Sequence, residues 1–403
     1  MPCALFLAAL LLQSGPQAEG LQALEAKQYP AAVAAFRRAV EADAKDFSAH
    51  FHLALAQSLA GNDAAAIEGY RKTLELKPGL YEAGLNLGIV LLNQNQAEEA
   101  VQSLRAASVA KPAEFRPTYY YAEALLATSS YEAAASQFAN ALTLDPKSAA
   151  SHNGLARALA GQGRIDEAET HFRQAEKLDP AYRDGLLQLA GLREKSKNYD
   201  AAIAIYSEFL DQVAVRERLG QLYLETARPA EAIPHLEHAA KVSPTAANLY
   251  ALGTAYLRSK ETSKAMATFE QALASEPANA ELRLSYAGLL RDQKNFSAAA
   301  QQYWRVTQLQ PASKAAWTGV ATMLLSLENY AQALAAFDRL EALGDPAPGI
   351  YFFRALAQDH SKQYQQALES YQRFLSLSQE KHPDEEFKAR QRVKVIQKEL
   401  SKR

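Results

Sequence analysis

Small and bulky side chains alternate in a fixed pattern along almost the whole chain. An alanine recurs every 34 residues, apart from one interval of 30 and one of 33, at Ala32, Ala66, Ala100, Ala134, Ala168, Ala202, Ala232, Ala265, Ala299, Ala333 and Ala367. A small residue precedes each of these eleven anchor alanines by twelve positions, and a bulky residue follows each by four. A fixed period of this length predicts repeats of one supersecondary unit, here two antiparallel helices joined by a short turn.

The three recurring positions are explained by how helices pack. Two antiparallel helices can approach closely only where both carry small side chains, such as Ala54 and Ala66 in the second repeat. A bulky residue one turn further on, here Tyr70, then fills the space between this repeat and the next. Prolines near the repeat boundaries, such as Pro78 and Pro112, end one helix and are tolerated where another begins.

With these residues in place, the sequence resembles the tetratricopeptide repeat family, whose 34-residue unit has small residues at its eighth and twentieth places and proline near its thirty-second. The resemblance covers roughly residues 13 to 380. It implies an all-α fold, a right-handed α-solenoid (superhelix) of about eleven helix–turn–helix repeats, which we place at residues 19–380 and number by their anchor alanines. The sixth repeat, 183–212, is four residues short, which predicts a kink or a tighter turn near 210–214.

The segment after the repeats, residues 381–403, is expected to form a basic C-terminal capping helix. Within it, Ala389, Val393, Ile396 and Leu400 form one apolar stripe that suits the uncovered face of the last repeat. The alternative is a basic tail that touches anionic lipid or nucleic acid. We favour the cap, because eight basic and four acidic residues give the segment only a modest net charge.

An apolar run at residues 3–12 indicates that residues 1–18 are a signal peptide. The run is too short to span a bilayer, and the small residues after it suit cleavage near Gly15 or Ala18. Against this, no Lys or Arg precedes the run, and the first is Lys27. The alternative is an N-terminal cap helix on a cytoplasmic solenoid. We expect an exported protein, periplasmic or secreted, because a cap helix would carry a polar face.

The composition offers little for catalysis or for nucleic-acid binding. Across 403 residues, 43 basic and 45 acidic residues nearly cancel, and the single cysteine, Cys3, excludes a disulfide framework. The chain has no HExxH, P-loop, GxGxxG or GxSxG motif. His235 and His238 could share a metal, but no third ligand is evident beside them. We therefore expect no enzyme, cofactor or metal, no nucleic-acid partner, and no stable membrane insertion once the leader is removed.

The resemblance further implies that the first helices of the repeats line a concave groove, with positions 2, 5, 9, 12 and 13 of each repeat facing it. The predicted groove residues are Phe51, Leu55, Leu85, Ile89, Leu92, Tyr119, Leu126, Arg157, Tyr250, Leu284 and Phe352. In repeats 2 to 4 they form an apolar wall that suits an extended or helical apolar segment of a partner. The alternative is that some of them are simply buried against neighbouring helices. A clamp for terminal carboxylates is not expected, since no repeat has lysine at position 5 or asparagine at position 9.

These observations predict a non-enzymatic protein–protein interaction scaffold that binds a peptide or protein partner in its groove and assembles an envelope complex. The alternative is a cytosolic regulator that responds to a peptide. Trp304 should face outward from a second helix, and we favour a ring that lies flat across the neighbouring helix over a second contact patch, although exposed tryptophans are enriched in binding hot spots.

Overall fold

The computed structural model describes residues 15–344 and 347–401, and within these ranges the regular elements are 23 α-helices and one 3₁₀ turn. The helices of the first six repeats are α1 (Pro16–Glu25), α2 (Tyr29–Ala42), α3 (Phe47–Leu59), α4 (Asp63–Leu76), α5 (Tyr81–Asn93), α6 (Ala97–Ala110), α7 (Phe115–Ala127), α8 (Tyr131–Leu144), α9 (Ala149–Gly161), α10 (Ile165–Leu178), α11 (Gly185–Lys195) and α12 (Tyr199–Tyr206). The 3₁₀ turn, Pro180–Tyr182, lies between α10 and α11.

The remaining five repeats and the last helix follow the same order. They are α13 (Val213–Glu225), α14 (Pro229–Val242), α15 (Ala246–Arg258), α16 (Thr262–Ser275), α17 (Ala280–Asp292), α18 (Phe296–Leu309), α19 (Lys314–Ser326), α20 (Tyr330–Ala342), α21 (Pro348–His360), α22 (Tyr364–Ser378) and α23 (Pro383–Leu400). Repeat n therefore consists of helices 2n−1 and 2n. Each helix packs mainly against its neighbours in sequence, which confirms the predicted all-α solenoid.

The predicted small and bulky positions form the core of every repeat. All eleven anchor alanines are completely buried. Of the eleven bulky residues that follow them, ten are at most 6% exposed. The exception is Tyr206, which is half-buried in the short sixth repeat. At Gly88, an added Cβ would lie only 2.3 Å from Cγ of Leu104. The small residue on the first helix is thus required by the bulky residue on the second.

The turn between the two helices is equally regular. In every repeat, the residue five positions before the anchor alanine has a left-handed backbone, yet only Gly61 and Gly163 are glycines at this place. The backbone N–H of the next residue then donates back to the end of the first helix, as from Asn62 to the carbonyl of Gln57 at 2.8 Å. This is the hydrogen bond that ends a helix at a left-handed residue, and it turns the chain back on itself.

The chain divides into two compact units, Met1–Glu208 and Phe209–Arg403, which we call the N-terminal and C-terminal units. The division falls in the short sixth repeat. Its second helix, α12, has eight residues, whereas the other second helices have 13 to 15. The irregularity predicted from the sequence therefore coincides with the division, and the kink near 210–214 stays a prediction.

Helix α23 covers the last repeat, as predicted for a cap. Ala389 and Ile396 are buried, and they pack with Tyr371 and Phe374 of α22 in one apolar cluster. The guanidinium of Arg392 donates two hydrogen bonds, each of 2.7 Å, to the carboxylate of Asp359 on α21. Because a bidentate pair fixes both distance and orientation, it holds the helix in register on the repeat.

Helix α1 fixes the start of the first repeat at Pro16. Residues 16–18, which the sequence analysis assigned to the leader, lie in this helix, and its Gly20 is buried against the ring of Phe36. The predicted signal-peptide run at residues 3–12 lies outside the described residues. Among the helices that the structure describes, none combines the length and the apolar character needed to cross a membrane.

Gly88→Ala tests the packing of the first helix on the second. Helix propensity alone would favour alanine by about 1 kcal/mol. We nevertheless expect a lower free energy of unfolding, by about 1–3 kcal/mol, because the new methyl group overlaps Leu104. Urea unfolding followed by circular dichroism measures the difference.

Gly349→Ala is the matched control, because no atom lies within 4 Å of its added Cβ. It should leave the unfolding midpoint unchanged or raise it slightly. If both variants raised the unfolding midpoint equally, the claim that Leu104 requires a small residue at position 88 would be wrong.

Candidate recognition surfaces

The predicted groove residues all lie on first helices, in two separate groups. Eight belong to the N-terminal unit: Phe51 and Leu55 on α3, Leu85, Ile89 and Leu92 on α5, Tyr119 and Leu126 on α7, and Arg157 on α9. Tyr250 on α15, Leu284 on α17 and Phe352 on α21 belong to the C-terminal unit. We therefore treat repeats 2 to 4 as one candidate surface by itself.

Burial separates the residues of this surface into two classes. Leu85 and Leu126 are only 5% and 8% exposed, so neighbouring helices already cover them. Five others remain half-buried with part of each side chain accessible, and we call these five the groove wall: Phe51, Leu55, Ile89, Leu92 and Tyr119. The interpretation as buried residues therefore holds for Leu85 and Leu126, and binding by the other five stays a prediction. In the C-terminal unit, Tyr250 and Leu284 are half-buried and Phe352 is buried.

The aromatic groove residues are supported from beneath by the core of their own repeat. Each packs against the bulky residue that follows the anchor alanine, with ring centroids 5.9 Å apart for Phe51–Tyr70, 6.0 Å for Tyr119–Phe138, 5.8 Å for Tyr250–Phe269 and 6.1 Å for Phe352–Tyr371. Tilted or edge-on rings at this separation attract each other beyond simple burial. These aromatic side chains are therefore held in place by the core of their own repeat and have little conformational freedom left to lose.

Charged residues lie at the α7 end of the groove wall. Glu123 is half-buried on α7, and burial raises the pKa of its carboxyl group, although the charge of Arg157 and a hydrogen bond with Tyr119 oppose this. Arg157 itself is exposed on the next first helix, α9. The groove wall thus passes from apolar side chains to a carboxylate on α7 and a guanidinium on α9.

A pair of histidines that the sequence did not reveal joins the two helices of repeat 5. Nδ1 of His152 lies 3.0 Å from Nδ1 of His171, and the rings stack with centroids 5.2 Å apart. Burial lowers the pKa of both rings, and the charge of His152 lowers the pKa of His171 further. In the sequence these two residues are 19 positions apart, and no motif links them.

The histidines do not form a metal site in the part of the chain that the structure describes. Over these ranges, no group of three or more His, Cys, Asp or Glu side chains has the geometry to hold a metal ion. His235 lies on α14, and its ring stacks on Tyr223 with centroids 5.6 Å apart. Burial lowers the pKa of His235, with the charge of Arg216 as a second cause.

Trp304 on α18 is partly exposed and also contacts an aromatic ring of the next repeat, and its role in binding stays a prediction. Its side chain is 49% exposed, and it also meets the ring of Trp317 on α19 edge to face, with centroids 5.8 Å apart. The sequence predicted the outward direction of Trp304. It did not predict the second tryptophan beside it, because the two rings meet across helices of different repeats.

The histidine pair predicts that the protein loses stability as the pH falls. An unfolded histidine has a pKa near 6.5, above the lowered pKa of the folded rings, so the unfolded chain binds more protons between these values. The stability that the two neutral rings contribute to the folded state is therefore fully present above about pH 6.5. It is lost as the pH falls towards the lowered pKa. We expect the urea midpoint to drop between about pH 7.5 and pH 5.5.

His171→Gln should reduce this drop, and it should not abolish it, because burial lowers the pKa of His52 and His235 as well. His360→Gln, at an exposed position on α21, is the control and should leave the drop unchanged. An equal drop in the wild type and in His171→Gln would contradict the assignment to this pair.

Comparisons with known proteins agree with this architecture. Two family models, both described as tetratricopeptide repeat, match the chain: one at 125–172, 223–285 and 256–321, the other at 18–81, 153–215 and 321–385. A search of curated proteins finds no match.

Similar solved structures include "MamA AMB-1", at 26% identity, with 41% of this chain and 98% of that chain covered and a TM-score of 0.39. "MamA 41-end from Desulfovibrio magneticus RS-1" has 22% identity, coverage of 40% and 92%, and a TM-score of 0.39. YrrB, described as a TPR protein with an unusual peptide-binding site, has 21% identity, coverage of 44% and 91%, and a TM-score of 0.39. Because the family models together match most of the repeats, the chain belongs to the tetratricopeptide repeat family of protein–protein interaction scaffolds.

Proposed function

We propose that the groove wall of repeats 2 to 4 binds an apolar segment of a protein partner, extended or helical, and that the protein does so as an exported scaffold of an envelope complex. The observation that carries the proposal is the row of five half-buried apolar side chains on three successive first helices, α3, α5 and α7. Such a row is costly to leave in water and is typical of a surface that a partner covers.

The energetics favour binding of moderate strength. Fully burying an exposed large apolar side chain is worth about 1.5–3 kcal/mol, and these side chains, of which at most about a third is still exposed, gain no more than about a third of this each. Five such residues contribute several kcal/mol in total, from which the cost of association must be subtracted. The supporting contacts of Phe51 and Tyr119 with the core reduce that cost, because these side chains lose little freedom on binding.

The direct test combines peptide selection with two substitutions on the groove wall. Peptides selected against the intact protein from a displayed library should bind the double variant Leu55→Glu, Ile89→Glu at least tenfold more weakly. The reason is that the new carboxylates would lose hydration without gaining a partner under an apolar segment. Fluorescence anisotropy of labelled peptides measures the affinities, and circular dichroism confirms that the variant is folded.

Val109→Glu provides the control, because Val109 is an apolar side chain on the second helix α6 that is 74% exposed. It should bind the same peptides as tightly as the wild type does. Leu85 is avoided as a test position, since a charge at this buried site would unfold the repeat. Peptides that bound the double variant and the wild type equally would exclude the groove wall as the binding surface.

Export is the second part of the proposal, and it rests on the apolar run at residues 3–12. Helix α1 begins at Pro16, so cleavage after Gly15 would leave every described helix complete. We expect the intact mass of the protein from its native host to correspond to a chain that begins at or soon after Pro16. A mass that includes Met1 would contradict export and would favour the cytosolic, peptide-responsive regulator.

A further inference from the structure

An open pocket of about 530 Å³ lies between α18, α19 and α20 in the C-terminal unit. Val320 and Leu324 of α19 contribute apolar side chains to it, together with Trp304 and Trp317. Gln332 and Arg339 of α20 are among its polar lining residues. The pocket thus lies largely between two second helices, whereas the groove wall is built from first helices alone.

At two other junctions, an ion pair joins the second helices of neighbouring repeats. Arg71 on α4 donates to both carboxylate oxygens of Glu99 on α6, at 2.7 and 2.8 Å. Arg173 on α10 makes a similar two-pronged contact with Glu208, just beyond α12, at 2.7 Å for each hydrogen bond. Each pair thus connects a second helix to the following repeat.

The repeat register shows that the same positions are changed at the pocket. Trp304 follows its anchor alanine by five positions, as Arg71 and Arg173 do. Gln332 stands where Glu99 stands in its repeat, and Arg339 stands where Glu208 does. At the pocket the position of the arginine holds tryptophan, and the two positions that carry the carboxylates in the other repeats hold an amide and a cation. Neither ion pair can form here, and the pocket is lined by apolar side chains with the positive charge of Arg339 beside them.

The charge of Arg339 is available to a ligand. The two acidic residues beside it on α20, Asp338 and Glu341, both form ion pairs with Arg354 on α21. In the described part of the chain, Arg339 is exposed, and the structure shows no ion pair for it. A guanidinium at the edge of an apolar pocket suits a carboxylate that arrives next to an apolar group.

We propose that this pocket is a second docking site, for a helical segment of a protein partner that carries a bulky apolar side chain and, one turn away, an Asp or Glu. The apolar side chain would fill the hollow beside Trp304 and Trp317, and the carboxylate would pair with Arg339. A helix suits both contacts, because residues three or four positions apart lie on the same face. The site is independent of the groove wall, so each can fail its own test.

The chain supplies its own reporter for this site. It contains two tryptophans, Trp304 and Trp317, and both line the pocket, so tryptophan emission reports on the pocket alone. The probes are three alanine-based helical peptides with one leucine and, four residues later, Glu, Gln or Lys. The Glu peptide should shift the emission to shorter wavelengths and bind at least fivefold more tightly than the Gln peptide. The Lys peptide should bind most weakly.

Two variants separate the apolar contact from the charge. Arg339→Glu should reverse the preference, so that the Lys peptide binds more tightly than the Glu peptide. The double variant Trp304→Arg, Gln332→Glu introduces at the pocket the ion pair that Arg71 and Glu99 form between repeats 2 and 3. It should weaken the binding of all three peptides at least tenfold, with Trp317 as the remaining reporter. Arg105→Glu, an exposed charge change in the N-terminal unit, is the control and should change nothing.

Three results would overturn the proposal. One is equal binding of the Glu, Gln and Lys peptides, the second is no change in emission at millimolar peptide, and the third is full binding by the double variant. Substitution of Leu55 and Ile89 on the groove wall should leave this binding unchanged. If the Glu peptide binds here but no peptide is found that binds the groove wall, this site is supported and only the proposed function of the groove wall is excluded.

Discussion

The close approach of two helices at a fully buried alanine is the constraint on which the rest of this protein depends. Each repeat brings its first helix onto its second where only a methyl group or a hydrogen atom fits. A bulky side chain one turn away then joins that pair to the next helix. Because the contact recurs at a constant interval, every repeat buries its apolar surface against its neighbours, and no single central core is needed.

Residues outside this constraint are free to vary, and the candidate recognition surfaces are found among them. On first helices, variation at the exposed positions gives the apolar groove wall of repeats 2 to 4. On second helices, the positions that form ion pairs at two other junctions hold Trp304, Gln332 and Arg339 at the tryptophan pocket of repeats 9 and 10. Where the interval itself shortens, in the sixth repeat, α12 is truncated and the chain divides into two compact units.

The fold could be predicted from the sequence because it depends on local spacing, whereas the sites depend on contacts between helices. Periodicity alone placed the buried alanines, the bulky residues and the capping helix. It could not show that Leu85 is covered while Ile89 stays accessible, because this depends on how adjacent first helices overlap. The histidine pair and the second tryptophan were missed for the same reason. The left-handed backbone at the turns could not be predicted either, because nine of the eleven residues that adopt it are not glycine.

The most direct test of the account is the removal of one whole repeat. Deletion of residues 81–114 removes 34 residues and joins α4 to α7 in register. If the repeats are held by contacts with their neighbours, this shortened chain should keep its helical content per residue and unfold cooperatively in urea. Deletion of residues 81–97, half a repeat, should lose helix and cooperativity. Equal loss from both deletions would contradict the claim that constant spacing of small residues builds the fold.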